Sequence, residues 1–213
     1  MSGDEPRVPK EGARSAALAL ASVVAWLAAA TLADPLAILP AVGGAAVTLG
    51  CAVLWVDRPT ATALLRPSPR LVLLGAGAGG LMAAATYLLY PVLAHLMPFV
   101  AADATRLYGA LRAPSPLFAS VVIVPVVVGE ELVWRGVVQA SLARRLGAWR
   151  GVTMAAVTYA LVHAPLGSSV LLAVAFSCGL AWGTLRATTA SLVPSLVAHL
   201  LWDALVLLWL PLK

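Results

Sequence analysis

Seven stretches of mainly apolar residues follow one another along the chain, separated by short polar or proline-containing segments. They cover residues 15–33, 36–56, 71–97, 117–146, 152–164, 169–185 and 191–210. A run of about 17–25 apolar residues is long enough for a helix to cross the hydrocarbon core of a bilayer. The pattern therefore predicts an all-α fold, a polytopic transmembrane helix bundle with about seven spans.

The polar segments divide this bundle into three parts. Residues 1–14 are polar and mixed in charge, and the apolar run after them has no signal-peptidase site, so we expect a retained cytoplasmic tail. Residues 15–116 comprise three amino-terminal spans, a basic proline-rich loop at 57–70 and a connector at 98–116 that contains an interfacial helix. Residues 117–213 form a helical core of four spans.

The composition supports a membrane protein and argues against nucleic-acid binding. The chain of 213 residues is 62% hydrophobic and 11% charged, with a mean hydropathy of +0.95, whereas soluble domains carry about 25% charged residues. The net charge of +5 comes from basic residues in short loops between apolar runs. Cys51 and Cys178 lie inside apolar segments without a CxxC pattern, so we expect two free, buried cysteines.

The distribution of lysine and arginine predicts the orientation of the chain. With seven spans, ten basic residues fall on the amino-terminal side and three on the other side. The ten are Arg7, Lys10, Arg14, Arg58, Arg66, Arg70, Arg144, Arg145, Arg150 and Arg186, and the three are Arg106, Arg112 and Lys213. The positive-inside rule then places the amino terminus in the cytoplasm.

The composition is rich in Ala, Arg and Gly but poor in Lys, which indicates a GC-rich bacterial genome. We therefore expect the protein in a bacterial inner membrane.

One apolar segment, residues 121–135, carries three charged side chains. A single such group near the bilayer centre costs roughly 2.5–3.5 kcal/mol. Glu131 and Arg135 are four residues apart, so they share a helix face and can pair. Glu130 points about 100° away and has no partner in its own helix. An unpaired carboxylate at membrane depth is a candidate functional group, although all three residues could simply hold helices together.

Further ionisable side chains lie in two later helices. His163 closes the fifth predicted span with Tyr159 one turn before it, and His199 and Asp203 share one face of the seventh. Glu130, His163 and His199 lie about 24, 18 and 15 Å from the cytoplasmic ends of their helices at 1.5 Å per residue, which allows one shared site. A single histidine of this kind often only bonds two helices together. His95 near the end of the third span is interpreted as an interfacial residue outside the site.

These groups suit the hydrolysis of a peptide bond inside the membrane. A carboxylate and a histidine that flank a water can remove its proton, and a second histidine can donate to the resulting oxyanion. A zinc ion held by Glu130, His163 and His199 is an alternative, because two histidines and a glutamate are a known zinc set, but we favour a site without a cofactor. The sequence lacks HExxH, GxGD and a partnered serine nucleophile.

Three short patterns on separate helices occur in a recognisable order. They are EE-x-x-x-R at Glu130, Glu131 and Arg135, [FY]-x-x-x-H at Tyr159 and His163, and H-x-x-x-[ND] at His199 and Asp203. In this combination they resemble the CPBP family, the CAAX-protease and bacteriocin-processing (ABI) intramembrane proteins, which include the eukaryotic CAAX prenyl endopeptidase. The resemblance covers roughly residues 117–210.

The resemblance implies a glutamate-dependent intramembrane endopeptidase, a type once labelled as a metalloendopeptidase. It implies that Glu130 is the general base, that His163 positions and activates the water, and that His199 and residue 203 form the oxyanion side. Glu131, Arg135 and Tyr159 then have supporting roles. Position 159 is Tyr where Phe is usual. Position 203 is Asp where the prenyl endopeptidases have Asn, so Asp203 must either be protonated to donate or orient His199.

The implied partners are the bilayer and a membrane-associated protein or peptide substrate. The substrate class stays open between CAAX-like tails, bacteriocin-related precursors and carboxy-terminal sorting tails, and the sequence gives no oligomeric state. The main alternative is a non-catalytic immunity or scaffold protein of the same fold. A transporter or proton relay also uses intramembrane Glu and His, but the chain lacks an internal repeat with paired broken helices.

Overall fold

The computed structural model describes residues 8–32, 38–110 and 116–212, which form helices joined by short turns. Two of the helices change to a π-helical conformation along their length. The helices are α1 (Val8–Leu32), α2 (Ile38–Val56), α3 (Arg58–Leu64), α4 (Pro69–Leu96), α5 (Pro98–Ala110), α6 (Pro116–Glu131, π-helical Leu132–Val138, then Gln139–Leu146), α7 (Ala148–Leu161), α8 (Ser169–Thr189) and α9 (Val193–Trp209, π-helical from Ala204).

The all-helical membrane bundle predicted from the hydropathy pattern is confirmed, but not every predicted span is long enough to cross a bilayer. A helix occurs at each of the seven positions. Among the described residues, α1, α4, α6 and α8 are long and apolar enough, and a fifth span results if α2 and α3, which meet at 113°, count together. The prediction of about seven full spans is therefore too high by this measure, because α7 has 14 residues and the apolar α9 is also shorter than a span.

The amino-terminal polar segments contain more helix than predicted. Helix α1 begins at Val8, inside the expected tail, while residues 1–7 lie outside the described part. The expected loop at 57–70 contains α3, where the Asp57 carboxylate accepts a hydrogen bond from the Thr60 N–H and Pro59 occupies the first turn. A side-chain cap and an early proline both favour a helix start, so these loop-like residues begin a helix. The helix expected in the connector is present as α5.

Glycine contacts bring the helix with the carboxylates close to α2. A Cβ atom added at Gly50 would lie 2.6 Å from the Gly129 Cα, and one added at Gly129 would collide with the Ala46 carbonyl oxygen. Small residues allow such close approach of helix backbones in membranes. Because Glu130 follows Gly129 directly, this contact fixes the position of the carboxylate pair.

A second close contact joins α4 to α9. A Cβ atom at Gly75 would lie 2.6 Å from the Pro194 carbonyl oxygen, and one at Gly79 would lie 2.8 Å from that of Ala198. The glycine-rich first half of α4 therefore packs closely against α9 at these two positions. Since His199 follows Ala198, the contact positions the histidine of α9.

The two cysteines differ in environment. Both are free, as predicted, but only Cys178 is buried. The prediction that Cys51 is buried is wrong, because the neighbouring Gly50 faces α6 and the next residue points about 100° away.

Large apolar side chains are exposed along the outside of α1, α4 and α6, including Leu20, Leu81 and Leu117. An apolar exterior of this kind is expected for helices that face lipid.

Candidate active site

The adjacent glutamates of α6 lie where the helix changes from α to π geometry. Glu131 ends the α-helical part, and the π-helical part begins at Leu132. The Glu131 residue is 0% exposed and Glu130 is 8% exposed, so both carboxylates lie inside the bundle. A π-helical turn changes the direction of the side chains around it, and such turns are frequent at functional sites.

Glu131 is held by two basic side chains. Its Oε1 atom lies 3.3 Å from Arg135 Nη1 on the same helix and 3.0 Å from His199 Nδ1 on α9. The predicted pairing of Glu131 with Arg135 is therefore confirmed. Since a carboxylate can only accept, His199 donates from Nδ1. The Arg135 guanidinium also lies over the rings of Tyr159 and Trp182, 4.8 and 5.0 Å from their centroids, which stabilises a buried cation.

Glu130 has a different set of neighbours. The Tyr159 hydroxyl of α7 donates a 2.7 Å hydrogen bond to Glu130 Oε2, and His199 Nε2 lies 3.9 Å from the same oxygen. Glu130 thus has no partner within its own helix, as predicted. Its carboxylate lies between α7 and α9.

His163 lies just beyond α7 and does not close that helix, contrary to the sequence prediction. It precedes a 3-10 turn at Ala164–Leu166. Its Nδ1 atom lies 2.7 Å from the Tyr159 carbonyl oxygen, which requires Nδ1 to donate. In the neutral ring Nε2 is then free to accept a proton. Tyr159, one turn before His163 in the sequence, contacts it in the structure, with ring centroids 4.9 Å apart.

His199 and Asp203 are neighbours on α9, as their spacing predicts. His199 Nε2 lies 3.5 Å from Asp203 Oδ2. The two ring nitrogens therefore face different carboxylates, Nδ1 facing Glu131 and Nε2 facing Asp203 and Glu130. It is Glu131 that fixes the orientation of the His199 ring through Nδ1, and Asp203 lies on the side of the ring that faces Glu130.

Sequence reasoning missed the aromatic residues that enclose these groups. Trp182 of α8 stacks on His199, with ring centroids 3.6 Å apart and planes at 18°. Trp26 of α1 is fully buried and contacts His163 and Trp134 edge-on. Trp134 follows Glu130 by four residues, which places it on the same helix face. The sequence around Trp26 and Trp182 does not indicate that they lie at the site, since their contacts depend on how distant helices pack.

The geometry gives no support to the alternative of a zinc site. Among the described residues, no group of three or more His, Cys, Asp or Glu side chains is arranged to hold a metal ion. In particular, Glu130, His163 and His199 do not form such a group. The expectation of a site without a cofactor stays a prediction.

The apolar exterior and long helices define an integral membrane protein, and its carboxy-terminal half matches a known family. The family described as type II CAAX prenyl endopeptidase Rce1-like matches residues 112–205. The matched segment is similar to the family that the three motifs indicate, and all the candidate site residues from Glu130 to Asp203 lie inside it. Searches of curated proteins and of solved structures found no match.

Proposed function

We propose that the protein is an intramembrane endopeptidase in which Glu130 activates water to hydrolyse a peptide bond. The family match supports a CAAX-type membrane protease. The observation that carries the assignment of the base is the difference between the two glutamates. Glu131 is occupied by Arg135 and His199, whereas Glu130 has one short hydrogen bond, from Tyr159.

In the proposed reaction, Glu130 removes a proton from a water while the water oxygen attacks the carbonyl carbon of the substrate. A tetrahedral intermediate with a negative oxygen forms. When the intermediate collapses, the C–N bond breaks and Glu130 returns the proton to the leaving amine, so that the products are a carboxylic acid and an amine. General base catalysis by a positioned carboxylate contributes about 10²–10⁴-fold to the rate.

His163 assists Glu130 through a fixed tautomer. Because Nδ1 donates to the Tyr159 carbonyl, Nε2 is the atom that can accept a hydrogen bond from the attacking water. The same Tyr159 residue also donates to Glu130. One residue of α7 therefore aligns both groups that act on the water.

His199 is the proposed donor to the oxyanion. Since its Nδ1 already donates to Glu131, donation from Nε2 requires a proton on both ring nitrogens. Asp203 Oδ2 lies 3.5 Å from Nε2, close enough to stabilise the charged ring in the resting site, and Nε2 donates to the oxyanion when it forms. Donors aimed at a developing oxyanion contribute about 10²–10³-fold.

The proposed substrates are membrane-associated proteins or peptides with CAAX-like, bacteriocin-related or carboxy-terminal sorting tails. We propose a bacterial inner membrane with the amino terminus in the cytoplasm, on the basis of the basic residues in the loops. The reaction uses no metal in this proposal. Each catalytic side chain belongs to a residue no more than 8% exposed, so substrate access requires the helices to separate.

A comparison of membrane-protein carboxy termini by mass spectrometry tests the proposal. Cells express the native chain, Glu130→Gln or, as a control, His95→Gln at matched levels, since His95 is exposed at the end of α4. We expect particular tails to be cut by the native chain and His95→Gln but not by Glu130→Gln, and cleavage to survive a zinc chelator. Identical termini in all three strains, with folded protein present, contradict the proposal and favour the immunity or scaffold function.

A further inference from the structure

A cluster of polar contacts joins α5, which lies outside the family match, to the start of α8. Asp103 and Arg106 of α5 pair at 2.7 Å. Asp103 Oδ2 accepts hydrogen bonds from the Ser168 hydroxyl at 2.7 Å and from the Val170 N–H at 3.1 Å. Ser168 in turn caps α8 by accepting from the Leu171 N–H. We refer to Asp103, Arg106 and Ser168 as the α5 clasp.

Arg106 extends the clasp to the turn before α8. Its Nη2 atom donates to the Gly167 carbonyl at 2.6 Å, and its Nη1 atom donates to the Leu166 carbonyl at 3.4 Å. Hydrogen bonds from a guanidinium are charge-assisted and stronger than neutral ones. Burial alone would raise the pKa of Asp103, but the bonds from Arg106, Ser168 and Val170 outweigh burial and lower it. Asp103 is therefore ionised at neutral pH and can accept all three bonds.

The turn held by the clasp is the one that carries His163. The Leu166 N–H donates to the His163 carbonyl at 3.1 Å. The turn ends at Gly167, whose φ of +67° is left-handed. His163 and Ser168 are five positions apart, which is at most about 18 Å of extended chain. On the other side, the ring of His163 contacts Trp26 of α1. The backbone of His163 is thus fixed at one end by α7 and at the other by the clasp.

We propose that Asp103 and Arg106 are positioning residues that hold the His163 turn, and with it the direction of His163 Nε2, from outside the catalytic helices. The inference rests on the proposed function, in which His163 aligns the attacking water. A purely structural role, in which the clasp only attaches α5 to α8, predicts lower stability without any change at the His163 ring.

Nitrogen NMR of the histidine rings separates these two roles without any need for a substrate. The chain has three histidines, His95, His163 and His199, so ¹⁵N-histidine labelling gives few signals, and His95→Gln and His163→Gln assign them. We expect native His163 to show a single tautomer with its proton on Nδ1. In Asp103→Asn and Arg106→Ala, the signal becomes an average of both tautomers.

The control variant is Thr105→Ala on the same helix, because the Thr105 hydroxyl donates to the Ala101 carbonyl within α5. It should leave the His163 signal unchanged. If Arg106→Ala fails to fold, Arg106→Lys replaces it. Lysine keeps the charge but lacks the planar guanidinium that donates to two carbonyls at once. A partial change of the His163 signal is therefore expected. The inference is overturned if the His163 signal is unchanged in both folded variants, Asp103→Asn and the Arg106 variant.

Initial rates in vesicles provide the second measurement, with a tail peptide found by the comparison of carboxy termini as the probe. Misplacement of a catalytic group by about 1 Å costs about 10²-fold. We therefore expect kcat of Asp103→Asn to fall roughly 10–100-fold while KM stays within about twofold. A raised KM at unchanged kcat contradicts a positioning role. If Glu130→Gln still cleaves the peptide, the proposed function is wrong. The NMR measurement tests the positioning of His163 independently of that result.

Discussion

The two sides of the site begin from adjacent glutamates and differ in the kind of partner that each carboxylate has. On the Glu131 side, Arg135 and His199 approach one carboxylate oxygen at 3.3 and 3.0 Å, and the Glu131 residue is 0% exposed. On the Glu130 side, Tyr159 supplies a single short hydrogen bond. The first side is an internal ion pair that joins α6 to α9. The second has one short bond from a hydroxyl, and its distance to the nearest basic ring nitrogen, His199 Nε2, is 3.9 Å.

This difference shows how one turn of helix can supply both a rigid support and a reactive group. Consecutive helical residues point about 100° apart, so Glu130 and Glu131 meet different helices. His199 links the two sides, because Nδ1 bonds Glu131 while Nε2 lies 3.9 Å from Glu130. Substitutions on the two sides should therefore separate effects on catalysis from effects on stability.

The largest effect expected beyond Glu130 itself is that of His163→Gln. Loss of the nitrogen that aligns the water should lower the rate by about 10²–10⁴-fold. Cleavage of tails in cells provides the measurement, with His95→Gln as the matched control. Equal rates for these two variants would remove His163 from the mechanism.

A large effect on stability is expected from Glu131→Gln. Breaking a buried ion pair by removing one partner costs about 3–5 kcal/mol, and here it leaves Arg135, a residue only 2% exposed, without its carboxylate. Unfolding in mixed detergent micelles measures the loss. Glu131→Leu combined with Arg135→Met should recover part of it, because neither member of the ion pair is then left as an unpaired buried charge. Unchanged stability of Glu131→Gln would show that the pair does not hold the bundle together.

A moderate effect is expected from Tyr159→Phe, which removes the 2.7 Å hydrogen bond to Glu130 but keeps the ring packed against Trp134 and His163. We expect about a tenfold fall in kcat, because a hydrogen bond to a charged group contributes about 1.5–3 kcal/mol and water can replace part of it. A loss as complete as that of Glu130→Gln would make Tyr159 a catalytic residue.

The smallest effect is expected from Asp203→Asn. An amide can donate to an oxyanion, and it keeps the size and position of the carboxylate beside His199 Nε2, so the rate should change by less than about threefold. Asp203→Ala serves as the comparison and should be slower. A fall of about 10²-fold in Asp203→Asn would show that the negative charge of Asp203 is needed, for instance to keep His199 protonated.

Local spacing along the chain predicted the contacts between residues four positions apart. The pairing of Glu131 with Arg135, of Tyr159 with His163 and of His199 with Asp203 follows from a spacing of four residues. The helical membrane fold followed from the apolar runs. The candidate residues came together because three motifs on three helices resemble one family, whose match covers residues 112–205.

Contacts between distant helices could not be predicted from the spacing of residues along the chain. The bond from His199 to Glu131, the stacking of Trp182 on His199 and the burial of Trp26 depend on helix packing across the bundle. Cys51 is exposed because the face of α2 that packs against α6 is the one that carries Gly50. Hydropathy also overestimated the number of full spans, because apolar helices that lie inside a bundle need not be long enough to cross the membrane.

The most direct test of the central claim compares Glu130→Gln with the native protein, both purified into vesicles. Cleavage of an identified tail peptide and resistance to unfolding are measured on the same samples. The account predicts a rate at least about 10²-fold lower at nearly unchanged stability, since Glu130 has no ion-pair partner in its own helix. Cleavage at the native rate by folded Glu130→Gln would contradict the account and would require another group to activate the water.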